Sequence, residues 1–414
     1  MGGTVQQRSV VRVGATLIVA SLALTACGSR NSNDSGGDNS TSTKTAKIGV
    51  IAPLSGDLSA LGLGIQHSVE LAVKQANDSG AIPGWKLEVA AKDDEGKPEP
   101  GKNAATSLSS DKDVIGVVGT LNTSVAQQVT PVLAPKNIVQ VSPANTGPGL
   151  TQGAQWQTAP KRPFPVYFRT CTTDAVQGPF AARYLYETAK ITKVATIHDK
   201  KAYGQGLVGT FTDEFKKLGG TVVAAETVNP DDTNYQAVLS AIKPSAPQAI
   251  YVGSEYPVVG PLSQQAKAAG LTVPVMGGDG IYDPKYIQLA GKNSNGDLAT
   301  SVGAPVDALP SAKKFVADYA AQGYKEPYAA YGGYSYDAAN AIIAALKVSL
   351  KDAKDVESAR QATVTAMSSV SFDGVTGKVA FDQYGDTTSK VLTVYKVDGG
   401  KWVTVETKDF AASK

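Results

Sequence analysis

Strand-sized apolar runs and helix-spaced segments alternate along most of this chain. From residue 47 the order is a strand at 47–53 (KIGVIAP), a helix that begins near Gly62 and runs through 68–78, and a strand at 86–93 (KLEVAAKD). A helix at 98–110, a strand at 114–119 (VIGVVG), a helix from Ser124 to Ala134 and a strand at 138–143 (IVQVSP) follow. These strands are apolar almost throughout instead of alternating, the pattern of a parallel sheet covered on both faces. Residues 147–166, rich in Gly, Pro and polar side chains, interrupt the order. A second alternation then runs through strand 193–199, helix 205–218, strand 221–228, helix 233–242, strand 248–253, helix 259–269 and strand 273–278. Two similar halves in succession predict two α/β domains of related build. Beyond Pro310 helical spacing dominates, most clearly at 334–350 (YSYDAANAIIAALKVSL), before strand-like pieces at 377–382 and 390–397.

Two stretches of different character precede this alternation. Arg8 and Arg12 lead into an apolar run at 13–24, long enough for a secretory signal but short of the ~20 residues that span a bilayer. It ends in Leu24-Thr25-Ala26-Cys27, which resembles the bacterial lipobox. That resemblance implies a signal peptide over 1–26, cleavage before Cys27 and a lipid on its sulfur. Each buried acyl methylene contributes ~0.8 kcal/mol, so two or three chains anchor firmly where one does not. Residues 28–45 (GSRNSNDSGGDNSTSTKT) contain no aromatic or aliphatic side chain and cannot bury enough surface to fold. Residues 27–45 are therefore expected to tether a folded body to the outer face of a membrane.

Composition narrows the function. Some 370 ordered residues exceed what one core covers, which again points to two domains. Cys171 is the only cysteine besides Cys27, so there is no disulfide framework, and it is expected to behave as a small buried hydrophobe. Residues 1–27 hold two of the 39 basic residues and no acidic one, leaving 37 basic against 37 acidic groups. That balance argues against nucleic acid, which needs a concentrated basic patch. His67 and His198 are the only histidines; no G-x-S-x-G elbow lies near them, and both are taken as structural. No H-E-x-x-H, C-x-x-C or Walker lysine occurs, so no catalytic residue, metal or cofactor is expected. GLG at 62–64 is too short for a dinucleotide fingerprint, and DDEGKPEPG at 93–101 lacks calcium-loop spacing. The tyrosines at 328, 331, 334 and 336 are taken as helix packing, not as a ligand cage.

Several stretches together resemble the branched-chain amino-acid-binding family, the solute receptors of ABC importers with the type I periplasmic-binding fold. They are IGVIAPLSG (48–56), IGVVGTLNTSVA (115–126), VSPANT (141–146), IHDKKAYGQGL (197–207), YVGSEYP (251–257), VMGGDG (275–280) and FDGVTGKVAFDQYGD (372–386). The resemblance implies two doubly wound parallel-sheet lobes joined by three hinge crossings. Lobe one would comprise 46–172 and 304–376, and lobe two 173–303 and 377–412. It also implies a non-enzymatic, monomeric protein that hands a captured amino acid or amide-like solute to an ABC permease. A sensor signalling to a membrane receptor is the alternative.

Site residues follow partly from chemistry. Ligands of parallel α/β sheets bind beyond the carboxyl ends of strands. The strand ending at Gly119 leads into Asn122, Thr123 and Ser124, good N-cap residues, and a helix N-terminus suits a carboxylate. The resemblance assigns Leu121, Asn122 and Thr123 to this loop, with Thr123 on the ligand carboxylate, and Ala144 and Thr146 to a backbone carbonyl and a hydroxyl offered to the ligand. It places Asp279 against the α-amino group and Tyr203 as the aromatic that closes over the ligand. Two positions depart from the leucine-type pattern. Glu255 falls where a tyrosine supports the ligand carboxylate, and would repel that group unless neutralised or turned away. Leu61 falls where an aromatic lines the side-chain pocket. Both suggest a solute other than leucine, with a cationic or amide group for Glu255 to meet.

Overall fold

The computed structural model describes residues 43–410; the signal-like segment, the lipobox with Cys27 and the start of the tether lie outside the described residues. β1 (Lys44–Ala52), α1 (Ser59–Asp78), β2 (Trp85–Asp93), α2 (Pro98–Ser110), β3 (Val114–Gly119), α3 (Thr123–Leu133), β4 (Val139–Ser142), α4 (Gly149–Gln152) and β5 (Tyr167–Arg169) come first. Their strands form one sheet in the order β2-β1-β3-β4-β5, parallel throughout. Lys44 and Thr45 thus belong to β1, not to the tether. The apolar strands are explained by burial on both faces. Ile48, Val50 and Val118 pack in one cluster with Leu61 and Ile65 of α1, while Ile51, Val114 and Val117 pack with Leu108 of α2 and Val125 and Val129 of α3.

The chain then builds α5 (Asp174–Arg183), β6 (Lys193–His198), α6 (Ala202–Lys217), β7 (Thr221–Thr227), α7 (Gln236–Ile242), β8 (Ala249–Gly253), α8 (Tyr256–Ala268), β9 (Val275–Gly277), α9 (Pro284–Ala290) and β10 (Leu298–Ser301). It continues through α10 (Lys313–Ala321), α11 (Gly332–Ser349), α12 (Val356–Met367), a hairpin of β11 (Ser371–Gly374) and β12 (Gly377–Ala380), and finally β13 (Val391–Asp398) and β14 (Lys401–Asp409). The second sheet has the order β14-β13-β10-β9-β8-β6-β7. It is parallel from β7 to β10, with β13 and β14 added antiparallel at one edge. Helices α11 and α12 pack on β3 and β4 of the first sheet, so the chain passes between the two sheets after β5, after β10 and after the β11–β12 hairpin.

Four elements depart from the pattern expected of the sequence, for visible reasons. β5 has three residues, and β10 (LATS) is short and half polar. β14 is a largely exposed edge strand, and α5 carries Gly178 and Pro179 in its interior. Cys171 is buried as expected, its Sγ 3.4 Å from the Asn145 carbonyl, and burial pushes its thiol upward. His67 stacks on Tyr324, and His198 accepts a bond from the Lys200 amide at 3.1 Å. No helix among the described residues is long and apolar enough to cross a membrane.

Candidate functional site

The loops that leave the carboxyl ends of β3, β4, β6, β8 and β9 carry most of the residues singled out above. On the second sheet they are drawn together by a glycine contact. A Cβ on Gly204 would sit 2.2 Å from the Gly253 carbonyl, so only glycine at both places lets the start of α6 press against the end of β8. That approach sets Tyr203 beside Glu255 and the 278–280 turn. Tyr203 donates to Asp279 Oδ1 at 3.0 Å and accepts the Gly280 amide at 3.2 Å.

Asp279 is almost fully buried. Its Oδ1 also accepts from Gln177 Nε2 at 2.9 Å, and its Oδ2 accepts from the Tyr331 hydroxyl at 2.7 Å. Gln177 is fixed in orientation, because its Oε1 accepts both the Asp279 amide at 3.0 Å and the Thr300 hydroxyl at 2.8 Å. Its Nε2 therefore faces Asp279 and, at 3.4 Å, Asp174 Oδ1. Burial raises the Asp279 carboxyl above its ordinary value, although Tyr331, Gln177 and Tyr203 pull the other way. Burial together with the Asp279 charge pushes Asp174 up to about 8. Among the described residues neither carboxylate has a lysine or arginine in an ion pair. Buried charge without a counter-ion is costly, and two such acids bridged by one amide make a place for a cation.

Across from this pair lie orphan hydroxyls. Asp174 donates its amide to the Thr146 carbonyl at 2.9 Å. Thr146 Oγ1 is near enough to Asp174 to hold its carboxyl down somewhat, yet no protein atom meets that hydroxyl at hydrogen-bond geometry. Thr123 Oγ1 is likewise buried without a partner. A Cβ on Gly147 would lie 2.6 Å from Thr123 Cγ2, so the 144–147 loop abuts the start of α3. Leu121 accepts Asn145 Nδ2 on its carbonyl at 2.8 Å, and Ala144 donates its amide to Ser142 Oγ at 3.2 Å. Leu61, Leu121, Ala144 and Tyr331 belong to one apolar cluster; no hydrogen bond ties the Leu61 side chain to the acid pair.

Asn122 and Glu255 differ from their expected roles. Asn122 occupies the N-cap of α3, but its side chain makes no cap bond there. Its Nδ2 instead donates to Glu255 Oε1 at 2.6 Å, linking the two sheets' loops. Glu255 Oε2 accepts Lys201 Nζ at 2.9 Å. Burial alone would lower the Lys201 ammonium, but Glu255 and Asp199 outweigh it and hold it above its ordinary value. Glu255 is thus paired within the protein, through a lysine it shares with Asp199 at 3.6 Å, and does not stand as a bare charge opposing a carboxylate.

Arg169, fully buried, ties the 144–147 loop to the crossings. Its Nη1 donates to the carbonyls of Asn145 at 2.7 Å and Gly147 at 3.0 Å, on either side of Thr146. Its Nη2 bonds Thr151 Oγ1 at 2.5 Å, and its Nε pairs with Asp386 at 2.6 Å, in the segment between β12 and β13. No group of three or more His, Cys, Asp or Glu among the described residues could hold a metal ion.

Two doubly wound sheets joined by three crossings, with polar loops at their carboxyl ends around a buried acid, define a periplasmic binding protein. A family model described as periplasmic binding protein matches residues 45–401, and the chain belongs to that family. Relatives in that family carry the names of Leu/Ile/Val-binding proteins, the family that the sequence motifs resembled. The chain is 31% identical to Leu/Ile/Val-binding protein homolog 3 of Brucella melitensis, over 87% of this chain and 93% of the relative. The fold is similar to that of a branched-chain amino acid transporter substrate-binding protein, LivJ of Streptococcus pneumoniae in complex with isoleucine (TM-score 0.78, 27% identity, 88% of this chain and 99% of that one). It is also similar to the leucine-binding protein LivK of Thermotoga maritima (TM-score 0.77, 26% identity, the same coverage).

Sequence reasoning missed Asp174, Gln177, Lys201, Arg169 and Tyr331 as parts of this arrangement. Tyr331 corrects the packing interpretation given above: its hydroxyl is a direct donor to Asp279. Tyr336 does pack, its hydroxyl donating to Gln75. The spacing D-x-x-Q at 174–177, on one helix face, was the available signal for the first two.

Proposed function

We propose that this chain is an exported lipoprotein, anchored through Cys27, that captures an amino acid between two hinged lobes and delivers it to an ABC importer. The lobes are 46–172 with 304–376, and 173–303 with 377–412. The observation that carries the proposal is the Asp279–Asp174 pair, buried, bridged by Gln177 and without an ion-pair partner among the described residues. A ligand ammonium supplies the missing charge, with Thr146 Oγ1 as a further acceptor. The ligand carboxylate rests on the start of α3, where the N–H groups ahead of Val125 have no intrahelical partner and where Thr123 Oγ1 is uncommitted. The names of the relatives support an amino acid as the class of solute. Closure then buries surface on both lobes only when a ligand bridges them, so ligand shifts an open–closed equilibrium. Titration calorimetry of the mature chain with the standard amino acids tests the proposal; at least one should bind with one-to-one stoichiometry.

The acid pair gives the binding a pH signature. Asp174 has a folded value of about 8, above the ~3.9 of an unfolded aspartate. The folded chain therefore holds more protons than the unfolded one between those values. The stability this contributes is complete below about pH 4 and is lost as pH rises toward about 8. An ammonium placed beside the pair lowers both carboxyls, so capture near pH 7 should release a proton and tighten as pH rises. Calorimetry in buffers of different ionisation enthalpy measures that proton count, and a count of zero in the wild type would contradict the arrangement.

Glu255 gives a second test in the same assay. Glu255→Ala removes the bond that joins the two loops, strands the Asn122 amide and leaves the Lys201 ammonium with only the Asp199 carboxylate, 3.6 Å away. Affinity should fall about tenfold, the cost of stranding a buried donor. Leucine, lysine and glutamine should be titrated in parallel. Tight leucine binding that Glu255→Tyr leaves unchanged would show that this position does not set the preference.

A further inference from the structure

A second concavity lies beside the crossing that follows β10. It encloses about 380 Å³, within the ~300–1,000 Å³ of small-molecule sites. None of the residues assigned above to the solute lines it. Its walls come from elements on both sheets: Tyr328 and Tyr334 around the start of α11, and Tyr282, Tyr395 and Trp402 from the second sheet and its loops.

The chemistry of these walls is specific. Tyr282 and Tyr395 stack with ring centroids 3.9 Å apart, and Trp402 leans toward Tyr282 at 6.0 Å. Two of the hydrogen-bonding groups nearby are already engaged: Trp402 Nε1 donates to the Asp283 carbonyl at 3.0 Å, and Ser301 Oγ to the Gly303 carbonyl at 2.8 Å. Five aromatic residues thus line the cavity among aliphatic ones, and aromatic rings attract cations through the negative potential of their faces. Asp307 lines the exposed rim and makes no hydrogen bond or ion pair among the described residues. Its charge reaches the wall, helping to push the Tyr282 and Tyr395 hydroxyls upward after burial has done so. Lys401 also lines the cavity, but it is exposed on a flexible stem that can turn to water.

We propose that this cavity is a second binding site, for a small aromatic molecule carrying an amine, with its ring against Tyr282, Tyr395 and Trp402 and its ammonium toward Asp307. The site is separate from the amino-acid cleft and does not depend on Asp279.

Calorimetry with 2-phenylethylamine on the mature chain tests this. The wild type should bind it saturably, and Asp307→Asn should weaken it about fivefold, the worth of one exposed cation contact. Ile287→Trp fills the cavity from the half-buried face of α9 and should abolish binding; Val306→Trp fills it from the crossing and guards against a folding defect in the first variant. 3-Phenylpropionate, of similar size but opposite charge, should bind more weakly. Three results would overturn the proposal: no saturable binding, binding that persists in both filled variants, or phenylpropionate binding as tightly as the amine.

Discussion

Asp279→Asn should weaken capture of any amine-bearing solute by about a hundredfold or more, since truncating one side of a buried charge contact costs ~2–5 kcal/mol. The side chain keeps its shape, so its carbonyl oxygen can still accept from Tyr203 or Tyr331, and the fold should survive. What disappears is the charge that faces the ammonium. Asp174 then remains as the sole acid of the pair, and its carboxyl should fall, because Asp279 is the second cause of its rise after burial. The variant should therefore lose affinity and part of the proton release, with a melting temperature close to that of the wild type. Calorimetry and a thermal melt measure all three. Undiminished affinity in a folded Asp279→Asn chain would remove this residue from the ligand.

The second large effect is on stability. Arg169→Met leaves the buried Asp386 carboxylate without its counter-ion, with Gln152 still donating to it, and removes the guanidinium donor from the buried carbonyls of Asn145 and Gly147. Breaking a buried pair from one side costs ~3–5 kcal/mol, which urea unfolding should register as a clear loss. The double variant Arg169→Met with Asp386→Leu should recover much of it, because no lone charge is left inside. Its affinity for the solute should stay low all the same. The two carbonyls that Arg169 grips flank Thr146, and no other cation replaces that grip. A purely structural arginine would instead show affinity returning together with stability.

The parts of the fold that were legible in the sequence are those with one unmistakable pattern. VIGVVG at 114–119 is apolar throughout because α2 and α3 cover one face of β3 and α11 and α12 the other, and no loop or edge strand has that composition. β14 could not be identified in the same way: an exposed edge strand alternates charged and apolar residues much as a surface loop does. In the site, Asp279 stood out as an acid between glycines after an apolar strand, and Tyr203 as an aromatic at a helix start. Their partners did not stand out. Gln177 and Tyr331 lie far from position 279 in the chain: Gln177 meets it because α5 packs on the second sheet, and Tyr331 only because the chain crosses back to the first sheet after β10. Asn122 illustrates the limit most clearly. Its residue type and position announce a helix cap, yet a glutamate from the other sheet offers a charged acceptor and takes the bond instead.

A crystal structure of the mature chain with the amino acid that most raises its melting temperature is the most direct examination of the clamshell. The α-ammonium nitrogen should lie ~2.7–3.2 Å from an Asp279 carboxylate oxygen, with the carboxylate on the first turn of α3. An amino acid bound elsewhere, or with its ammonium turned away from residue 279, would contradict it.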